Sequence, residues 1–110
     1  MVGAISWTYI PGELRRQVAG RLPLLASAVH FRCSAHEYRL LAGGHLHVNL
    51  YQRLMPWDHA PGWLLHAEAG GYAARFDGRP YDPARHRDGG LLCAPDRASW
   101  EAVRAALLDE

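Results

Sequence analysis

The sequence lacks a marked excess of charge of either sign, and it contains no basic block and no acidic tail. Twelve cationic residues, all of them arginine, oppose eleven acidic ones, so the formal net charge is +1. Nucleic acids and anionic membranes select strongly basic surfaces. The charge balance therefore predicts that neither of them is the main partner.

Long apolar runs and clustered cysteines are also lacking. No segment approaches the roughly 20 consecutive apolar residues that a helix needs to cross a bilayer. The N-terminus has no charged region ahead of an apolar run, which is the pattern of a signal peptide. Cys33 and Cys93 lie far apart, without CxxC spacing. We therefore expect a cytoplasmic protein with two buried, reduced thiols.

Helix and strand patterns alternate along the 110 residues, of which 49% are apolar. A chain of this size can enclose a packed core of its own. Strand-like segments are expected at 47–51, 72–76 and 91–94, and the final helix is expected to start at Asp96 with Trp100 on its apolar stripe. The pattern predicts an α/β fold in which helices cover both faces of a layered mixed sheet.

The most informative segment runs from Pro56 to Gly71. Asp58 is a residue type that caps helices and Pro61 is tolerated in the first turn, so we expect a helix to begin at or just after Asp58. Gly70 and Gly71 supply the left-handed residue on which helices commonly end. Because a helix N-terminus carries partial positive charge and unpaired N–H groups, a carboxylate, a metal–phosphate cluster or both can gather there.

A second helix is expected from Ser34 to about Ala42, with Ser34 as its cap and Glu37 as the acidic partner of a capping box. Two side chains beside Asp58 are expected to have no part in the chemistry. Trp57 is expected to pack beside the site, and His59 is expected to face solvent.

A zinc site is a weaker hypothesis. His45 and His47 would share one face of a strand, and Cys33, His59 or Asp58 would have to complete the ligand set. No fixed ligand spacing supports this arrangement, so surface or edge histidines are the expected interpretation.

The string Trp-Asp-His-Ala-Pro-Gly at 57–62, followed by Glu-Ala-Gly-Gly at 68–71, resembles the C-terminal motif of the inositol monophosphatase family. Members of that family are magnesium-dependent, lithium-sensitive phosphatases of inositol and sugar phosphates. The resemblance covers roughly residues 28 to 108, and it extends to the family's later strands and terminal helix at 72–80, 89–94 and 99–108.

The resemblance implies the C-terminal half of an αβαβα sandwich, with Asp58 as the one metal ligand that this half contributes to Mg²⁺. The paired glutamates and the Asp-Pro-x-Asp-Gly-Thr segment of the family's N-terminal half do not occur in this sequence. Mg²⁺ needs near-octahedral oxygen coordination, usually from several carboxylates, waters and phosphate. We therefore expect the cofactor site to be completed by a missing half, and the chain alone to be inactive.

The same resemblance divides the chain into two parts. Residues 1–26 would be an apolar segment and a helix at the junction with the missing half, and residues 27–110 would form the family's C-terminal α/β domain. The apolar N-terminal segment would then leave an exposed interface, through which a homodimer or looser self-association can form.

Substrate contacts depart from the family's pattern. Arg32-Cys33 replaces a Gly-Ser or Gly-Thr pair, and Tyr51, followed by Gln52, replaces an acid that holds ring hydroxyls. The predicted substrate-binding residues are Arg32, Cys33, Ser34, Tyr51 and Gln52. Arg32 can bind an additional phosphate or carboxylate. The implied substrate is a phosphate monoester of inositol or of a related sugar or polyol.

Two functions from different classes remain open. The first is the C-terminal part of a phosphatase, with no catalytic residue assigned within this chain beyond the metal ligand. The alternative is a non-catalytic remnant or small binding module that folds alone.

Overall fold

A computed structural model describes residues 1–31 and 33–109. The described residues form five strands and four α-helices: β1 Val2–Ile5, α1 Gly12–Arg21, β2 Ser27–Val29, α2 Ser34–Ala42, β3 Val48–Tyr51, α3 Pro56–Glu68, β4 Tyr72–Ala74, β5 Leu91–Ala94 and α4 Arg97–Leu107. Short 3-10 turns occupy Trp7–Tyr9 and Leu22–Leu24. None of the helices within these residues has the length and apolarity that crossing a membrane requires.

The strands form one mixed sheet in the order β2-β1-β3-β5-β4. β1 pairs in parallel with β2 and with β3, whereas β5 runs antiparallel to β3 and β4. The N-terminal segment is thus an inner part of the sheet, and Ala4 and Ile5 are buried in it. The expectation that this segment forms an exposed apolar patch is wrong, because neighbouring strands bond to both of its edges.

Helices cover both faces of the sheet, as predicted. On one face, α1 and α4 contribute Val18, Trp100 and Leu107 to a core that includes Leu50 and Leu92. On the other face, α2 and α3 cover a second core, which contains Tyr38, Leu41, Tyr51, Leu91 and Cys93. A strand that is buried on both faces needs apolar residues in succession, and this accounts for the run at 91–94.

α3 begins two residues earlier than predicted. Pro56 takes the first helical position, where the missing N–H would have had no partner. Asp58 therefore lies within the first turn, and its backbone N–H donates to the Met55 carbonyl at 3.0 Å. Pro61 lies inside the helix, where it cannot donate to the carbonyl of Trp57. The predicted start at Asp58 is wrong because a proline at the first position outcompetes a capping side chain.

The double glycine ends α3 as expected. Gly70 adopts a φ of 90°, and the Gly71 N–H donates to the His66 carbonyl at 3.0 Å. A Cβ atom on Gly71 would lie 2.0 Å from the His66 ring. The second glycine is therefore required by close packing, and the first by its left-handed backbone.

Candidate functional site

A cavity of about 610 Å³ lies where the carboxyl ends of the parallel strands meet the first turns of α2 and α3. Ligands commonly bind at this edge of α/β sheets. The residues predicted from the sequence converge here: Cys33, Ser34, Tyr51, Gln52 and Asp58 all line the cavity. Arg32 lies outside the described residues. The structure brings the predicted residues together, and their binding roles stay a prediction.

Asp58 is exposed at the cavity, in the first turn of α3. Its backbone carbonyl accepts a hydrogen bond from the Ser34 hydroxyl at 3.0 Å, which joins the starts of α2 and α3. The carboxylate itself caps no helix, because the N-cap residue of α3 is Met55. An exposed carboxylate near a helix N-terminus is an oxygen ligand of the kind that Mg²⁺ binds.

The described residues do not provide a complete donor set for a metal ion. Among residues 1–31 and 33–109, no three His, Cys, Asp or Glu side chains are grouped closely enough to hold a metal ion. His47 instead accepts a hydrogen bond from the Val2 backbone N–H at its Nδ1, 3.0 Å away. The zinc hypothesis is therefore wrong for the described residues. The Asp58 carboxylate has the chemistry of a magnesium ligand, and its role as one stays a prediction.

Glu37 is a buried carboxylate at the cavity wall, with 1% of its surface exposed. Its Oε2 accepts the Phe31 backbone N–H at 3.0 Å, and its Oε1 accepts the Tyr51 hydroxyl at 3.0 Å. The predicted capping box is wrong. Cys33 is the N-cap residue and makes no side-chain cap bond, and the Ser34 hydroxyl is used by α3.

The Tyr51 hydroxyl lies at the centre of a buried polar network. It donates to Glu37 and accepts from the Asn49 Nδ2 at 3.0 Å. Burial raises the pKa of Tyr51, and the nearby Glu37 carboxylate raises it further. Tyr51 is therefore a neutral phenol whose hydroxyl proton is committed to Glu37, so it offers little of the acceptor function of an acid to a ligand.

His59 is buried beneath the cavity, with 5% of its surface exposed. Its Nδ1 lies 3.0 Å from the Tyr38 hydroxyl, and its ring centroid lies 4.6 Å from that of Tyr51. Burial lowers the pKa of His59, although Asp58 and a hydrogen bond to the Arg53 carbonyl oppose this. A neutral ring accepts the Tyr38 hydroxyl at Nδ1 when its proton is on Nε2.

The prediction that His59 faces solvent is wrong, and so is the prediction that Trp57 packs beside the site. Trp57 is 72% exposed. The helical spacing could have identified the buried side of α3. Trp63 and His66 follow His59 by four and seven residues, so all three lie on one face, and this face is the inner one. Trp57, Leu64 and Leu65 share the outer face, and all three are largely exposed.

The two cysteines are free thiols, as expected from their spacing, but the prediction that both are buried is wrong for Cys33, which lies at the cavity-facing start of a helix. Cys33 is exposed at the start of α2, and Cys93 is buried in β5. Burial raises the pKa of Cys93, so its thiol is neutral and takes no part in the chemistry of the cavity.

Similar folds occur in three solved structures. Staphylococcal IMPase-II is 22% identical, with a TM-score of 0.81 over 98% of this chain and 43% of its own. The extragenic suppressor protein suhB from Bartonella henselae is 19% identical, with a TM-score of 0.82 over 97% and 41%. Inositol monophosphatase from Anabaena (Nostoc) sp. PCC 7120 is 20% identical, with a TM-score of 0.76 over 97% and 42%.

At these identities the likeness shows the shared fold, and the chain spans 41–43% of the length of these three proteins. No curated protein sequence matches the chain. A sequence profile of the inositol monophosphatase family matches residues 12–110, which is most of the chain. This chain belongs to the inositol monophosphatase family.

Proposed function

We propose that this chain forms the C-terminal part of a Mg²⁺-dependent phosphatase whose substrate is a phosphate monoester of inositol or of a related sugar or polyol. The observation that carries the proposal is the exposed carboxylate of Asp58 at the cavity where the parallel strands end. Family membership supports phosphatase chemistry. Asp58 is the proposed metal ligand, and the proposed location is the cytoplasm, with no role for nucleic acid or membrane.

Bound Mg²⁺ would supply an activated water and neutralise charge on the phosphoryl group. The chain's own residues would bind and orient the substrate. α2 and α3 both start at the cavity, and their first-turn N–H groups favour an anion there. We propose that Cys33, Ser34, Tyr51 and Gln52 contact the substrate, and Arg32 precedes them in the sequence.

Two further structures of the staphylococcal protein support a phosphate monoester ligand. One contains inositol monophosphate and another contains 2'AMP. Tyr51 offers no free carboxylate to ring hydroxyls, since its own hydroxyl is bonded to Glu37. We therefore propose a phosphate monoester without restricting the alcohol to inositol.

The remaining metal ligands are proposed to come from polypeptide outside residues 1–110, so that this chain alone does not turn over substrate. That polypeptide has to approach Asp58 closely. Trp57 is adjacent to Asp58, and the outer face of α3 continues with Leu64 and Leu65, all of them exposed. We propose that the polypeptide with the remaining ligands contacts this outer face of α3. When that polypeptide is absent, we propose that a second copy of the chain covers the same face.

Paramagnetic Mn²⁺ tests the role of Asp58 in the chain as it exists, because Mn²⁺ prefers the same oxygen ligands as Mg²⁺. In ¹H–¹⁵N spectra, Mn²⁺ should broaden the amide signals around Asp58, and added Mg²⁺ should reverse this. Asp58→Asn should abolish the broadening. Asp88→Asn, at an exposed acidic residue elsewhere, is the matched control and should retain it. Equal broadening in the Asp58→Asn chain would contradict the proposal.

Phosphate release is the second measurement. Co-expression with the N-terminal half of a relative should produce Mg²⁺-dependent release of phosphate from polyol phosphates, and Asp58→Asn should remove it. The chain alone should release none. Equal rates for the unaltered and substituted chains would contradict the assignment of Asp58.

The alternative is a binding module that folds alone. The complete five-stranded sheet, with a core on each face, favours independent folding. This alternative predicts a cooperative thermal transition that does not move with Mg²⁺ and phosphate together. An upward shift with both ligands favours the phosphatase function, since ligands that bind only the folded chain raise its stability.

A further inference from the structure

We propose that Arg53 and Tyr9 form a second anion-binding subsite at the rim of the cavity, so that the ligand carries a carboxylate or a second phosphate besides the phosphate at Asp58. The inference deepens the proposed function and rests on it only for the metal-bound end of the ligand. Both residues line the same cavity as Asp58.

The side chain of Arg53 is held by an aromatic ring. Its guanidinium carbon lies 5.3 Å from the centroid of the Tyr9 ring, in a cation–π arrangement. Tyr9 is 50% exposed, so one part of the ring supports the guanidinium while the pair remains open to solvent. An arginine restrained in this way loses less freedom when it binds a ligand than a freely moving one.

Backbone hydrogen bonds hold the residues on either side of Arg53. The Gly90 N–H donates to the Gln52 carbonyl at 3.2 Å, and the Leu54 N–H donates to the Arg87 carbonyl at 2.7 Å. Leu54 itself is fully buried. The side chain of Arg53 therefore extends from a restrained part of the backbone.

Tyr9 is anchored as well. It ends the short 3-10 turn that follows β1, and the next residue, Ile10, is 1% exposed and donates its N–H to the Trp7 carbonyl at 3.2 Å. The platform under Arg53 thus belongs to a different part of the chain from Arg53 itself, and both parts are fixed to the sheet.

The charge of Arg53 is not neutralised by a carboxylate of the described residues. Their five ion pairs involve Arg16, Arg79, Arg85, Arg97 and Arg104. Two carboxylates share the cavity with Arg53. Glu37 is bonded to Phe31 and Tyr51, and Asp58 forms no ion pair with another of the described residues. The guanidinium fork matches carboxylate and phosphate geometry, so an anionic group of a ligand is the partner that fits.

The lining of the cavity thus includes both an exposed carboxylate, that of Asp58, and a guanidinium, that of Arg53. Asp58 would hold the metal and the phosphate, and Arg53 would hold the second anion. A volume of about 610 Å³ is enough for a small ligand that reaches both. Arg32, which the sequence predicts for an additional anion, lies outside the described residues, and its role stays a prediction beside that of Arg53.

The test uses two probes that differ by one anionic group, glycerol 3-phosphate and 3-phosphoglycerate. Each is titrated into the ¹⁵N-labelled full chain with Mg²⁺, and the Arg53 Nε–Hε signal is followed. We expect 3-phosphoglycerate to bind about fivefold more tightly, which is the upper end for an exposed ion pair. Arg53→Gln should make the two affinities equal. Tyr9→Leu should reduce the difference, and Tyr9→Phe, which keeps the ring, should restore it.

Arg15→Gln is the matched control. The Arg15 guanidinium also lies 5.3 Å from an aromatic centroid, that of Trp7, but Arg15 does not line this cavity. This variant should keep the full difference between the probes. Equal affinities in the unaltered chain, or a difference that survives Arg53→Gln, would overturn the subsite.

A second arm separates this inference from the proposed function. Without Mg²⁺, 3-phosphoglycerate should still shift the Arg53 signal, and Asp58→Asn should leave that shift in place. An unmoved Arg53 signal overturns the subsite. If Mg²⁺ has the same effect in the Asp58→Asn chain as in the unaltered chain while the Arg53 shift is retained, the metal role of Asp58 is overturned and the subsite is supported.

Discussion

α3 and α4 have similar lengths, 13 and 11 residues, and each has an aspartate near its start, yet they use it differently. In α4, Asp96 is the N-cap residue, and its Oδ1 accepts the Ser99 N–H at 2.7 Å. In α3, Pro56 starts the helix and the carboxylate of Asp58 stays exposed at the cavity. A carboxylate that caps a helix already accepts a hydrogen bond from the backbone. A carboxylate that caps no helix remains available to a ligand.

The two helices also differ in what they bury. α4 has one apolar stripe, and Trp100, Val103 and Leu107 on it are all buried. α3 buries His59 and His66 on its inner face and exposes Trp57, Leu64 and Leu65 on its outer face. α4 therefore serves mainly to stabilise the sheet. α3 packs on the sheet, contributes to the cavity and leaves apolar side chains exposed on its outer face.

The largest expected effect separates the two tryptophans. Trp100 is 4% exposed and donates its Nε1–H to the Leu92 carbonyl at 2.8 Å. Trp100→Ala should lower the free energy of unfolding by about 3–5 kcal/mol, because it removes a large buried side chain. Trp57→Ala should change it by less than about 0.5 kcal/mol. Urea denaturation checks both, and equal losses would remove the distinction between the helices.

Helix–helix packing at the family motif gives the next effect. A Cβ atom on Gly62 would lie 2.2 Å from the Tyr38 ring, so Gly62→Ala should cost about 1–3 kcal/mol of unfolding free energy. The control is Gly20→Ala in α1, where nothing lies within 4 Å of the added Cβ. That change should be neutral or stabilising, since alanine restricts the unfolded chain. A thermal melt of each variant decides the matter.

Asp96 and Asp58 are expected to differ in what their carboxylates contribute to the free energy of unfolding. The Ser99 backbone N–H lowers the pKa of Asp96 below its ordinary 3.8. A lowered pKa in the folded state stabilises the chain above the unfolded pKa, and this contribution is lost as pH falls through the folded pKa. Asp96→Asn should therefore flatten the loss of stability below about pH 4 in urea titrations. Asp58→Asn should leave the free energy of unfolding at pH 7 unchanged, because Asp58 is exposed and is not the N-cap residue of α3. An equal loss in both variants would show that Asp58 also serves the fold.

The smallest effect on stability is expected on the outer face of α3. Leu64→Glu with Leu65→Glu should change the free energy of unfolding by less than about 0.5 kcal/mol per site. The pair should nevertheless reduce concentration-dependent self-association in sedimentation velocity. Leu24→Glu is the control, because Leu24 is 66% exposed and lies elsewhere in the fold. Self-association that persists in the double variant would place the interface on another surface.

The sequence predicts the layered α/β fold well because the strongest elements combine several local signals. β5 matches its predicted limits, since Leu91 to Ala94 form an uninterrupted apolar run. α4 begins after Asp96 as expected, because a capping residue and an apolar stripe agree. The predicted start of α3 is wrong because the sequence has two start signals, Pro56 and Asp58, two residues apart. Only one of them can occupy the first position of the helix.

The cavity is less predictable, because its contacts join distant parts of the chain. Cys33, Ser34, Tyr51, Gln52 and Asp58 could be named from a motif and its neighbours. The bond from Tyr51 to Glu37 spans 14 residues, and the stacking of Arg53 on Tyr9 spans 44. Neither follows from periodicity or spacing. Such pairs depend on which strands are neighbours, and strand order is decided by the whole sheet.

The sheet ends in very short strands on both sides, since β2 and β4 have three residues each. Unpaired backbone groups at a sheet edge are what templates strand addition, and a three-residue edge offers few of them. Any complex built by this chain is therefore expected to form through side chains on a helix surface, with the sheet remaining five strands wide in each copy. Infrared spectra of concentrated samples should accordingly show no growth of intermolecular β-structure.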